Sequence, residues 1–280
     1  MKVSGEMVDS EVVKARRALL DALEALGSHR EAVILVGAQA IYLHTGSAEV
    51  ALAEFTTDAD LAIDPELLSS DPLIETAMTA AGFTPDPETS ALGTWRSRDW
   101  VPVDLLVPDA VAGTGTRSAD LPPHAKRAMR RAVGLEAVLS DNAPRLIGSL
   151  DSDDSRSFTI KVAGPAALLV AKAHKVAERI HNPKRWDMKD AHDVYRLLRA
   201  IDTDVFVASL TALAEDPIAG QVTKAAIESI LELFAAGENA PGAQSAGQAE
   251  EFVGDPAQVA LAVSLLAQDL IAALNVGRAG

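Results

Sequence analysis

The spacing of apolar positions divides the chain into a mixed first part and a helical second part. From Ser10 to Leu26, Val12, Val13, Ala18, Leu19, Leu20, Leu23 and Leu26 recur at helical intervals, and Gly27 supplies a stop. The apolar run Ala32 to Val36 reads as a buried strand, followed by a short helix from Ala38 to His44. A loop from Thr45 to Phe55 leads to a strand that begins with Asp58 and Asp60. Pro65 opens a predicted helix running to Ala81, with Gly82 behind it. Strands are expected at Thr94 to Arg96 and Val101 to Val107, then a Gly/Thr/Ser-rich loop from Val111 to Asp120. The acidic segment Asp151 to Ser157 suits a turn before a strand at Phe158 to Val162. Beyond Gly164-Pro165 the period becomes helical, over Ala166 to Ile180, Met188 to Ile201, Thr203 to Ala214, Ile218 to Ala236 and Pro256 to Asn275. Gly237 to Gly254, rich in Gly, Ala, Gln and Glu, reads as an exposed loop. The pattern predicts an α+β protein, with a mixed domain at residues 1–163 and a helical domain at 164–280.

Composition narrows the classes. A chain of 280 residues, 48% hydrophobic but only 4% aromatic, can bury a large core made mainly of Ala, Val, Leu and Ile. No run approaches the roughly 18 apolar residues of a membrane span, and Met1 to Glu6 lacks the apolar stretch of a signal peptide. Zero cysteines exclude disulfides and thiolate metal sites, so a cytoplasmic location is expected. A net charge of -15 repels nucleic acid on average, so any such contact needs a local basic patch. The strongest cluster is His124 to Arg131, with Lys126, Arg127, Arg130 and Arg131. It reads either as a solvated helix face or as a contact for acceptor RNA. Lys184 and Arg185 beside Trp186 form a smaller group, in which the indole either packs or stacks on a base.

Acids set among apolar strand residues carry the chemistry. Period-2 geometry turns Asp58 and Asp60 to one face, where their charges repel unless a cation lies between them. Asp104 has a similar setting in Val101-Pro102-Val103-Asp104-Leu105-Leu106-Val107, although a sheet-edge acid facing water is the plain alternative. Three such carboxylates form a ligand set for Mg²⁺, the ion of phosphoryl and nucleotidyl transfer. In the helix after Pro165, Lys172, Lys175 and Arg179 share a face, and an antiparallel neighbour would bring Asp190 or Asp193 towards it. A lysine there either touches phosphate, with Lys175 competing with Lys172, or lies along the surface. Asp190 either supports that lysine or serves as an acid favoured at a helix N-terminus. His174, His181 and His192 have no third zinc ligand at matching spacing, so packing or hydrogen bonding is their expected role.

The order Val36-Gly37-Ala38, Thr57-Asp58-Ala59-Asp60, Val103-Asp104-Leu105, Leu169 to His174 and Lys189 to Asp193 resembles the nucleotidyltransferases of the DNA polymerase β-like superfamily. Within it, the chain is similar to AbiEii-type toxins of toxin–antitoxin pairs, over roughly residues 30 to 200. The resemblance implies a nucleotidyltransferase-like mixed sheet flanked by helices, then a helical domain. It implies Mg²⁺ (or Mn²⁺) on Asp58, Asp60 and Asp104, with Asp104 also a base for the incoming hydroxyl. Gly37, Ala38, Thr57, Lys172 and Lys175 would line the nucleotide, and Asp190 would support Lys172. The implied reaction moves a nucleotide from an NTP to an acceptor such as the 3′ end of tRNA, and the implied partner is an antitoxin protein. Alternatives are transfer to a small aminoglycoside-like molecule, or a catalytically degenerate binding module. Two positions depart from the family pattern: Ala38-Gln39 replace a Gly-Gly or Gly-Ser pair, and Glu54 stands where an arginine is common.

Overall fold

The computed structural model describes residues 3–46, 50, 56–88, 92–180, 182 and 188–278. Glu54, His181, Lys184, Arg185 and Trp186, and most of the expected Thr45–Phe55 loop, lie outside the described residues.

The protein is α+β, built on an open mixed sheet. Its strands are β1 (Val33–Val36), β2 (Ala59–Ile63), β3 (Thr84–Pro85), β4 (Thr94–Arg96), β5 (Pro102–Pro108), β6 (Arg130–Ala132), β7 (Asn142–Gly148) and β8 (Ser157–Ala163). They are ordered β3-β4-β5-β2-β1-β8-β7, with β6 also paired to β5. β1 runs antiparallel to β2 and parallel to β8, and β2 runs parallel to β5. All four residues of β1 are buried, as a continuous apolar run in a central strand requires. The helix α1 (Val3–Ala25) packs on β2, β5 and β8, burying Ala15, Ala18, Leu19, Leu20, Ala22 and Leu23. It is followed by α2 (Gly37–Thr45) and the short α3 (Ile74–Ala80).

The chain forms two compact units, one of residues 1–40, 55–132 and 142–163, the other of residues 41–54, 133–141 and 164–280. The last division falls between Ala163 and Gly164, while two short internal segments group with the helical unit. That unit carries α4 (Pro165–Arg179), α5 (Met188–Ala200), α6 (Thr203–Ala214), α7 (Gly220–Ile230), α8 (Pro241–Gln248) and α9 (Pro256–Arg278). By length and composition α9 could cross a membrane, with a mean hydropathy of 1.7 over Pro256–Asn275. Val259, Val263, Ala267 and Leu270 are nonetheless buried, and the helix packs on α5, α6 and α8 as a core element.

Three expectations need correction, and one strand is additional to them. The helix from Pro65 to Ala81 shrinks to α3, because Pro72 disfavours helical backbone at the residue before it and the helix starts only beyond it. Residues 124–131 do not form a helix: they are turns leading into β6. The expected loop 237–254 contains α8, with Ala243, Ser245 and Ala246 buried. Its small residues allow close packing, since a Cβ on Gly247 would lie 2.3 Å from the Pro256 carbonyl oxygen. β7 was not anticipated, because Pro144 interrupts the strand pattern; at the sheet edge a proline costs no ladder bond.

Candidate active site

The acids of the sheet unit are placed by strand register. Asp60 pairs with Asp104 across β2 and β5, and Asp104 pairs with Thr94 across β5 and β4. Directly opposed residues on neighbouring strands point to one face, so Thr94, Asp104 and Asp60 form a transverse row. Val36 of β1 opposes Asp60, which brings the turn into α2 beside that carboxylate. This turn requires glycine. Gly37 has φ +69°, and a Cβ there would lie 2.1 Å from Asp60 Oδ2.

Asp58 lies two residues ahead of Asp60, half-buried at the entrance to β2. Its Oδ1 accepts a hydrogen bond from Thr56 Oγ1 at 2.9 Å. Its carbonyl accepts from Gln39 Nε2 at 2.9 Å, and the same amide donates to the Ala15 carbonyl at 3.3 Å. Arg16 Nε donates in turn to Gln39 Oε1 at 3.0 Å. The buried Gln39 thus ties α1, α2 and the Asp58 backbone together. A serine at this position would be too short to make these three bonds. Ala38 is buried next to it, whereas Thr57 is exposed.

Asp104 is engaged on both oxygens. Thr94 Oγ1 donates to Oδ1 at 2.6 Å, and Arg130 Nη2 donates to Oδ2 at 2.7 Å as an ion pair. Register explains the reach: Arg130 on β6 pairs with Leu106, which shares a face with Asp104 two residues earlier. Gly93 makes room for this arrangement, as a Cβ there would lie 2.5 Å from the Arg130 backbone nitrogen.

Two further members of the basic cluster, Arg131 and Lys126, are also held by protein partners. Arg131 donates to Asp109 Oδ1 at 2.7 Å and to the Gly113 and Gly115 carbonyls. Lys126 pairs with Asp120 at 3.1 Å, and Arg127 is exposed. In place of the single helical basic face expected there, Lys126, Arg130 and Arg131 enter separate ion pairs; Arg130 and Arg131, adjacent on a strand, point to opposite faces.

Among the described residues no group of three His, Cys, Asp or Glu is placed to hold a metal ion. One of the three expected ligands already has a guanidinium and a hydroxyl as donors. Asp58 and Asp60 remain, and Mg²⁺ accepts one or two carboxylates when substrate phosphates and water complete its shell.

In the helical unit, Asp190 and Asp193 do meet the basic face of α4, but in its interior. Lys172 is only 6% exposed and pairs with Asp190 at 2.7 Å and Asp193 at 2.6 Å. Arg179 pairs with the other Asp190 oxygen at 2.6 Å. Burial alone would pull Lys172 down, but the charges of Asp193 and Asp190 hold its ammonium well above the ordinary lysine range. Burial likewise opposes ionisation of Asp190, yet Lys172, Lys175 and Arg179 together bring it to about 2. Lys172 is thus neither a surface lysine nor open to solvent, while Lys175 is half-buried. His174 Nε2 lies 2.8 Å from the Val222 carbonyl and His192 Nε2 lies 2.8 Å from Glu250 Oε1, so each histidine has its own hydrogen-bond partner.

Compared with family models, curated proteins and solved structures, the chain matches none.

Proposed function

We propose that the protein is a nucleotidyltransferase on a nucleotidyltransferase-like sheet, moving a nucleotide from an NTP to an acceptor, with the tRNA 3′ end as acceptor, and acting as the toxin of a toxin–antitoxin pair in the cytoplasm. The observation that supports this reading is the placement of Asp60 beside both Asp104 and Gly37, on adjoining strands and at the turn into α2. An acidic row next to a glycine turn puts carboxylates where a triphosphate's backbone contacts can also form. In the reaction an acceptor oxygen attacks the α-phosphorus, the bond to the pyrophosphate oxygen breaks, and the acceptor proton passes to a carboxylate of the site. Asp58 and Asp60 are the proposed ligands for Mg²⁺ (or Mn²⁺). Lys172 and Asp190 support α4 from within.

A second reading, a binding module on the same sheet, is favoured by two facts: Arg130 occupies Asp104, and Lys172 is buried among acids. The two are separated by incubating the protein with each α-labelled NTP, Mg²⁺ and total tRNA. Label transfer by wild type that is lost in Asp58→Ala supports the enzyme. Absence of transfer, or equal transfer by that variant, rejects it.

A further inference from the structure

We propose that Trp100 is a stacking platform for an unpaired base of the acceptor RNA, presented beside the acidic row. The inference rests on the nucleotidyltransferase reading for the identity of the acceptor, and adds the side chain that receives it. Two observations carry it, a strained backbone and an exposed ring. Trp100, in the turn between β4 and β5, has φ +63°, alone among the described non-glycine residues in the left-handed region. Such a turn favours glycine or asparagine, and a bulky aromatic residue there is an outlier. Nor is the indole buried in compensation: Trp100 is 61% exposed, whereas Trp95 is 2% exposed.

The surroundings hold the ring in place. The Trp100 amide donates to the Ser97 carbonyl at 3.0 Å, the Ser97 amide to the Val101 carbonyl at 2.9 Å, and the Val101 amide to Ser97 Oγ at 3.0 Å. Arg96 Nη1 donates to the Trp100 carbonyl at 3.3 Å, and the guanidinium carbon lies 5.9 Å from the indole centroid, within cation–π range. Asp86 pairs with the same guanidinium. Period-2 alternation sets Arg96 on the face of Thr94, which opposes Asp104, so the arginine against the indole rises from the face of the acidic row. Four residues separate Trp100 from Asp104, a span of at most about 14 Å, so one strand of a few nucleotides reaches both. Arg98, exposed in the same turn, supplies a positive charge for phosphate in a chain of net charge -15. The neighbours of the ring, Arg96, Arg98 and Asp99, are charged, which favours a base over an apolar protein groove. Every base has an aromatic face, so the platform accepts any unpaired base and excludes a duplex, whose bases are already stacked.

The test uses the full chain without NTP, so it does not depend on whether any transfer occurs. Binding of a short fluorescein-labelled single-stranded RNA is read by fluorescence anisotropy, with the duplex of the same sequence as control. Wild type is expected to bind the single strand at least about tenfold more tightly than the duplex. Trp100→Gly suits the left-handed backbone, so it should melt at or above the wild-type temperature while its RNA affinity falls about tenfold. Trp100→Tyr keeps an aromatic face and should stay within about threefold of wild type. The Trp186→Phe variant leaves buried Trp95 and exposed Trp100 as its only tryptophans, so RNA should quench its solvent-exposed emission. Should Trp100→Gly melt lower than wild type, this quenching decides the matter. No RNA binding by wild type, equal affinity in Trp100→Gly, or no quenching in Trp186→Phe would overturn the proposal. Failure of label transfer with these binding results intact would refute the enzymatic reading alone. Transfer with an unchanged acceptor KM in Trp100→Gly would refute the platform alone.

Discussion

Replacing Lys172 by methionine distinguishes a structural lysine from one that serves a substrate. In the structure its ammonium touches two carboxylates, both on residues 4% exposed or less. Lys172→Met keeps the length of the side chain and removes the charge. Asp190 retains Arg179, but Asp193 loses the cation 2.6 Å from its oxygen. Breaking a buried pair by deleting one partner typically costs about 3–5 kcal/mol, because the remaining charge is buried without compensation. For a domain of this size that corresponds to a fall in Tm on the order of 10 °C. The assay is urea unfolding followed by far-UV ellipticity, with a thermal melt alongside. Adding Asp193→Asn to the methionine variant should restore part of the loss, giving a coupling of about 0.5–3 kcal/mol in the double-mutant cycle. A Lys172→Met protein within about 1 kcal/mol of wild type would refute the buried-network reasoning. A stable variant that had lost NTP affinity would return Lys172 to the phosphate-contact role.

Gly37→Ala should cost about 1 kcal/mol or more for its left-handed backbone and displace the Asp60 carboxylate, read as lower Tm and weaker Mn²⁺ binding. Gln39→Leu removes the donor to the Asp58 and Ala15 carbonyls and the acceptor for Arg16, and should destabilise by about 1–3 kcal/mol in urea titrations. Two pH windows are expected. Burial lowers His29 and His192 below 6.5, so both bind protons more readily when unfolded. Their contribution is present above pH 6.5 and is lost as pH falls below it. Asp190 is lowered from 3.8 to about 2, so its contribution holds above 3.8 and disappears as pH falls through that interval. Thermal melts from about pH 8 downward should therefore be flat, then decline below 6.5 and again below 3.8, with His192→Gln blunting the first decline.

The elements most legible in the sequence are those whose period decides their burial. The run Val33 to Val36, the alternation around Asp60 and Asp104, and the amphipathic helices α4 to α6 all lie where the pattern places them. The segments without a sequence signature lack such a period. α8 is built from Gly, Ala, Ser and Gln, the composition of a loop, and becomes a helix because its small residues pack against α5 and α9. β7 is exposed over Ala143 to Leu146 and contains a proline, so its pairing with β8 has no local signature. At the candidate site, the adjacency of Asp60 and Asp104 follows from two strand patterns. The Arg130–Asp104 pair does not, since it depends on which residue of β6 lies beside Leu106, a register fixed by tertiary packing. In the sequence Arg130 is only one of several neighbouring positive charges. Lys172 was ambiguous for a related reason: a charged residue on an apolar helix shows its burial only when its partners are placed.

The most direct measurement follows α-labelled and γ-labelled NTP in parallel with total tRNA and Mg²⁺. The account predicts that the α-label enters the RNA and the γ-label leaves as pyrophosphate, and that Asp60→Asn abolishes both while melting within a few degrees of wild type. γ-Label on the acceptor, or undiminished α-label transfer by Asp60→Asn, would contradict it.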